Sequence, residues 1–128
     1  MASLGMVGPY EFSKEKIDEI VNQNRYGNYA LGELNNGIFI VKYVGRTDEQ
    51  WLNERISQHL GEASSLKYTH FKYIYEDDPV KRYYLECKNY HDFGENNHLL
   101  NKIHPDKPKE MNVECPFCLE DFINSEKK

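Results

Sequence analysis

Apolar and polar positions along the chain divide it into short amphipathic elements. Ser13 to Asn22 reads as a first helix, because Ile17, Ile20 and Val21 fall on one face at i, i+3 and i+4. Tyr29 to Leu34 and Ile38 to Val44 read as strands joined by Asn35-Asn36-Gly37. Asn-Gly favours positive φ and marks a tight hairpin. The run Ile38-Phe39-Ile40-Val41 is continuously apolar, which predicts a central strand covered on both faces. Thr47-Asp48-Glu49-Gln50 fits a capping box, Leu52, Ile56 and Leu60 recur every fourth residue, and Gly61 stands where a helix would end. After a polar loop, Tyr68 to Tyr75 is rich in aromatic and β-branched residues and predicts a third strand. Asp78-Pro79 pairs an N-cap with proline at the first helical position; that helix should run to about Phe93 and stop at Gly94. A shorter helix is expected from Asn97 to Ile103, before Pro105 and Pro108 break the chain.

The order α-β-β-α-β-α-α predicts a small α/β (α+β) layer structure, a hairpin plus one strand flanked by helices. The 128 residues suit one compact domain with tails. Residues 1–12 are expected to be flexible, 13–104 to form the domain, and 105–128 to be a tail. No apolar run reaches eighteen residues, so no membrane span is expected. The first residues lack a charged-then-apolar leader, which gives an intracellular reading.

Net charge changes the picture only slightly. At −5 the chain lacks the general basic excess of a nucleic-acid binder, and residues 27–94 carry eight Lys or Arg against ten Asp or Glu. A small cleft can still be locally positive on an acidic protein. Non-specific DNA affinity should be weak. The ten tyrosines can serve packing and base stacking alike.

Several polar residues recur in an order that suits phosphodiester hydrolysis. That reaction needs an activated water, stabilised charge at phosphorus and a neutralised leaving oxygen. Tyr29 and Tyr43 lie on the paired strands. Arg55 and His59 are four apart and share a helix face. Glu86 lies on the long helix and Asn101 follows it. Mg²⁺ keeps several waters, so one carboxylate can suffice as its protein ligand, and a guanidinium offers planar donors to phosphate. Singly, each has an ordinary reading: a strand tyrosine, a solvated helix face, a surface carboxylate.

Taken together, Gly27-Asn28-Tyr29, Tyr43-Val44-Gly45, the Arg55-x-x-x-His59 pair, Glu86 and Asn101 resemble the motifs of the GIY-YIG nuclease family. Asn28 stands where the family usually has Ile, and Val44 replaces another Ile. The likeness covers roughly Tyr26 to Asn101. It implies a three-stranded antiparallel sheet flanked by helices and metal-dependent cleavage of DNA. It implies that Glu86 holds Mg²⁺ (or Mn²⁺), that Tyr29 or Tyr43 activates water, and that Arg55 stabilises the pentacovalent phosphate. His59 would orient a tyrosine or shuttle a proton, and Asn101 would brace the site. Lys42 and Arg46, flanking the second motif, are candidate phosphate contacts. With no recognition module in the sequence, structure-selective or weakly specific cleavage is expected, unless a protein partner supplies recognition. The alternative is a non-catalytic module that keeps the fold and binds nucleic acid or protein.

The cysteines suggest a second metal. Cys115-Pro116-Phe117-Cys118 is half a zinc site, and Cys87 and His91 are four apart on the long helix. Together they predict a Cys₃His structural Zn²⁺ site that fastens the tail to the helix carrying Glu86. Cys87 is rotated about 100° from Glu86, so the two would use different faces. His104 is the rival fourth ligand and His98 a weaker one. The ordinary reading is free thiols in a tail, with Cys87 a small core residue. A redox reading fits poorly, because Cys115 does not follow a strand and open a helix of a βαβ unit.

Overall fold

A computed structural model describes residues 4–101, 104–108 and 112–118. The element order is β1 (Val7–Glu11), α1 (Lys14–Ile20), β2 (Gly27–Asn35), β3 (Ile38–Arg46), α2 (Leu52–Gln58), α3 (Ala63–Leu66), β4 (His70–Tyr75), α4 (Pro79–Asp92) and α5 (Glu95–His98). A 3₁₀ turn, His59–Glu62, joins α2 to α3. The fold is α+β around one antiparallel sheet of strand order β1-β4-β2-β3.

The sheet has four strands rather than three. The additional one is β1, which lies in the segment expected to be flexible and pairs with β4 through Tyr10 opposite Phe71. Its partner is some sixty residues away, so no local signal announces it. Strand β2 is the central strand, bonded on both sides. The β2–β3 hairpin turns through Asn36 (φ 52°) and Gly37 (φ 78°), and those positive angles are why Asn-Gly occupies it.

Strand β3 is an edge strand, against the expectation of a central one: Ile38 and Ile40 are exposed. The far side of β2 is taken by β4, a long-range pairing that the apolar run could not reveal. The chain covers the edge at its far end. Leu100 N–H donates to the Lys42 carbonyl, and the Asn101 amide takes both backbone groups of Val44, donating at 2.7 Å and accepting at 3.0 Å. Asn101 thereby substitutes for the missing neighbouring strand.

Alternation along the strands divides the core. On one face Tyr29, Leu31 and Phe71 pack with Ile17 and Val21 of α1 and with Leu52 and Ile56 of α2. On the other, Ala30 and Val44 pack with Tyr90 of α4 and with Leu99. Helices therefore flank both faces, and α2 and α4 lie on opposite ones.

Local signals set most helix ends. Ser13 caps α1 through its hydroxyl, and Asp78 accepts from Val80 and Lys81 at the start of α4, with Pro79 at its first position. The Thr47 capping box does not form. Thr47 extends the β2–β3 ladder instead: its N–H donates to the Gly27 carbonyl and its hydroxyl accepts from Gly27 N–H, so α2 begins only at Leu52. Gly61 does not end a helix; the chain continues through the 3₁₀ turn into α3 and stops at Lys67, in the left-handed conformation. The helix expected over Asn97 to Ile103 appears as α5, which starts two residues earlier and is shorter, and Ile103 lies outside the described residues. The tail beyond Cys118 lies outside them too. No helix among the described residues is long and apolar enough to cross a membrane.

Candidate functional site

Tyr29 is fully buried at the centre of β2, and its register partner on β3 is Gly45. A Cβ at Gly45 would stand 2.4 Å from Cζ of Tyr29, so the ring lies where only glycine leaves room. This accounts for both ends of the paired motif: the second glycine exists to pass the first tyrosine. Gly27 is equally constrained, since a Cβ there would meet the Ile74 carbonyl at 2.1 Å.

The Tyr29 hydroxyl lies 2.9 Å from Nε2 of His59. On the other side of that ring, Nδ1 lies 2.9 Å from Oε2 of Glu62. Burial pushes the His59 pKa down, with Glu62 pulling it up and Arg55 adding to the depression, and the net shift is downward. The ring is therefore neutral at neutral pH: Nδ1–H donates to Glu62 and Nε2 accepts from Tyr29. Glu62 was not among the sequence candidates, although an acid three residues past a histidine was the available signal.

The Tyr43 ring stacks on Tyr29 with centroids 6.1 Å apart and sits 5.1 Å from that of His59. Arg55 completes the cluster: its Nη1 donates to Oε1 of Gln58 at 3.0 Å, and its charge acts on the hydroxyls of Tyr29 and Tyr43. Burial opposes its charge, but the two hydroxyls outweigh that, and its pKa stands above the ordinary value. The hydroxyls differ. Desolvation raises the Tyr29 pKa well above normal, with Tyr43 adding and Arg55 only partly offsetting it. Tyr43 instead lines a cleft of about 270 Å³ with Arg46, Asp48, Glu86, Asn101 and His104.

Glu86 projects from α4 into that cleft and is buried. Desolvation pushes its pKa up to about 7, although Arg46 pulls it down. Burial thus wins over the ion pair. Arg46 is shared: Nη1 donates to Oε1 of Glu86, Nη2 to the Asp106 carbonyl, and Nε to Asp48 at 3.0 Å. A wider groove of about 810 Å³ continues from it, lined by Arg46, Arg55, Arg82 and Lys107 against Asp48, Glu49 and Asp106. Its charges are nearly balanced, four cations against three carboxylates, with Arg46 and Arg82 both paired to Asp48. Arg82, which sequence reasoning did not single out, bonds Asp48 at 3.3 Å and the carbonyls of Glu76 and Asp77 at 2.9 Å. Asn28, where the family motif has Ile, donates to the Arg82 carbonyl at 2.9 Å and so ties β2 to α4.

The fold therefore gathers Tyr29, Tyr43, Arg55, His59, Glu86, Asn101 and Arg46 around one end of the sheet. Lys42 is not among them: it sits beside the β2–β3 bulge, with Nζ near Glu33 at 3.5 Å and near the Leu66 and Lys67 carbonyls. Glu86 offers one buried carboxylate to a polar cleft, and a hydrated divalent cation there would have to compete with Arg46 for Oε1.

A second cluster lies behind the first. His91, His104, Cys115 and Cys118 each present a ligand atom, all within 4.8 Å of one another, so the group can hold a metal ion. Nε2 of His91 lies 3.6 Å from Cys115 Sγ and 3.3 Å from Cys118 Sγ, and Nε2 of His104 lies 3.1 Å from Cys118 Sγ. A tetrahedral zinc with Zn–S of about 2.3 Å and Zn–N of about 2.0 Å sets N···S edges of roughly 3.5 Å. The far ring nitrogens are held as ligand histidines require: Nδ1 of His91 by Glu95 at 2.6 Å and Nδ1 of His104 by the Pro105 carbonyl at 2.7 Å. Cys87 is not a member of the cluster, and neither is His98. The Cys87 thiol is wholly buried with Tyr83 and Cys115, where burial pushes its pKa up. His104 takes its place, so the set is Cys₂His₂ rather than Cys₃His. Helical spacing favoured Cys87; the return of the tail past α4 brings His104 instead.

Comparison of the chain with protein-family models, with curated proteins and with solved structures finds no match.

Proposed function

We propose that this protein is a divalent-metal-dependent nuclease that hydrolyses phosphodiester bonds in DNA. The observation that carries the reading is that a cleft-lining tyrosine and a buried glutamate meet on one polar cleft, with Arg55 beside the tyrosine pair on the groove that continues from it. Glu86 would hold a Mg²⁺ or Mn²⁺ ion, which would supply charge neutralisation at the leaving oxygen.

The chain's own residues do the rest. Tyr43 lines the cleft and orients the attacking water by a hydrogen bond to its hydroxyl. Tyr29, buried and donating to His59, positions Tyr43 by stacking rather than acting as base. Arg55 donates to the non-bridging oxygens as charge develops on them. Asn101 holds the Val44 backbone, and with it the flanking Tyr43 and Gly45. Arg82 is buried, Arg46 nearly so, and both pair with Asp48, so the exposed Lys107 on the groove wall would meet the DNA backbone. Direct base readout has little surface here, so selectivity for DNA structure, or specificity supplied by a partner, is the expected mode.

The second metal is structural Zn²⁺ on His91, His104, Cys115 and Cys118; all four tetrahedral positions are protein atoms, which leaves none open for chemistry.

A nicking experiment tests the reading. Supercoiled plasmid is incubated with Mg²⁺ or Mn²⁺ and either wild type or Glu86→Gln purified in parallel. Metal-dependent nicking by the wild type alone is the expected result. Equal background from both proteins, on plasmid and on branched and single-stranded DNA, would overturn it. Binding that survives Glu86→Gln without any cleavage would favour a non-catalytic module, a reading that draws on the ion pair Glu86 already makes with Arg46.

A further inference from the structure

The two clusters share a wall. His104 is one of the four potential ligands and also lines the cleft that holds Glu86. Two residues on, the Asp106 carbonyl accepts from Arg46, whose other nitrogen holds Glu86. On the near side, Leu100 and Asn101 are fastened to β3 at Lys42 and Val44. Leu100 and Asn101 are thus pinned to the sheet, and His104 and Asp106 to the metal cluster and Arg46.

We propose that zinc at His91, His104, Cys115 and Cys118 is the latch of the Glu86 cleft, fixing residues 104–108 against Arg46 and so fixing how the carboxylate is presented. The proposal rests on reading Glu86 as the carboxylate of a hydrolytic site. The physical case is one of tethering. Pro105 and Asp106 lie in no helix or strand; Pro105 and Pro108 are buried and the His104 ring packs on Tyr90, while polar contacts tie the segment to Arg46 and to the cluster. A tetrahedral site removes the freedom of His104 relative to α4, because His91 on that helix shares the ion. Without the ion, the Asp106–Arg46 bond and the burial of Pro105 and Pro108 are left to oppose the entropy of a short loop. Arg46 then loses its restraint on the Asp106 side and keeps the one from Asp48, which changes how it meets Glu86.

Hydrogen exchange read by mass spectrometry tests this without relying on turnover. The full chain is compared in its zinc-loaded form, after chelation, and as Cys118→Ser, an exposed position whose replacement leaves the core intact. Circular dichroism checks that all three are folded. The expected result is one zinc per loaded chain and, on its loss, exchange at least about tenfold faster in the peptide carrying His104, Asp106 and Lys107, with peptides from β2 and β4 unchanged. Unchanged exchange in that peptide while the one carrying Cys115 and Cys118 loosens would overturn the proposal, as would absence of stoichiometric zinc. The nicking experiment separates the two readings. If loop exchange follows zinc but no form cleaves DNA, the latch stands and the hydrolytic reading falls.

Discussion

The hydroxyl of Tyr29 lies 2.9 Å from Nε2 of His59, and the same ring passes over Gly45 on the neighbouring strand. That makes Tyr29 a structural member of the site as much as a chemical one. Tyr29→Phe keeps the ring but leaves the buried His59 nitrogen without its donor, at a cost of about 1–3 kcal/mol. Tyr43→Phe, at the cleft wall, should change stability by less than about 1 kcal/mol while abolishing nicking. Urea melts and the plasmid assay separate the two. A Tyr43→Phe protein that cleaves at the wild-type rate would remove Tyr43 from the role of orienting the attacking water.

Gly45→Ala carries a steric prediction. The added methyl would meet the Tyr29 ring at 2.4 Å, and that ring is buried between strands and cannot yield freely. Overpacking of this kind costs on the order of 1–3 kcal/mol. A melting temperature equal to wild type would mean that Tyr29 has another place to go.

Glu86 should leave a mark on pH dependence. Its folded pKa, about 7, stands above the ordinary 4.5, so the folded state holds this proton more tightly than the unfolded chain does. Its contribution is therefore favourable at low pH, is lost as pH rises from about 4.5 to 7, and changes no further above that. The full difference is on the order of 3 kcal/mol. Subtracting Glu86→Gln from wild type in magnesium-free melts isolates it, and a flat difference curve would refute the assignment. Nicking, which needs the carboxylate, should rise with pH and level off above about 7.

Ligand identity is testable by substitution. Cys118→Ser and His104→Ala should lose stoichiometric zinc and lower the melting temperature, since metal affinity is folding free energy in such sites. Cys87→Ser should keep its zinc; placing a hydroxyl against Tyr83 and Cys115 costs stability instead. Zinc loss in Cys87→Ser with retention in His104→Ala would restore the Cys₃His set.

What the sequence announced, it announced locally. Ile17 and Val21 mark the buried face of α1, Asn36-Gly37 the hairpin, and Asp78-Pro79 the start of α4, because each signal acts within a few residues. The site residues were legible for the same reason: Arg55 and His59 follow helical spacing and the tyrosines sit on paired strands. The misreadings all turn on distant contacts. Val7–Glu11 looks like a tail until β4 pairs with it, and Ile38–Val41 looks central until that same β4 takes the far side of β2. Thr47 carries a valid capping pattern, yet its hydroxyl is claimed by Gly27 across the hairpin. His104 follows two elements after Cys87, and only the path of the chain past α4 decides between them as ligand.

Helix α4 carries Glu86 and His91 on one uninterrupted rod, five residues apart. Each added residue turns such a rod by about 100° and lengthens it by about 1.5 Å. A single insertion or deletion between these positions would therefore swing one cluster out of register with the other, whatever the inserted residue. The loops elsewhere can change length at little cost, but this stretch has a fixed count. In any related chain that uses both clusters, the five-residue interval should persist even where the residues between have all changed.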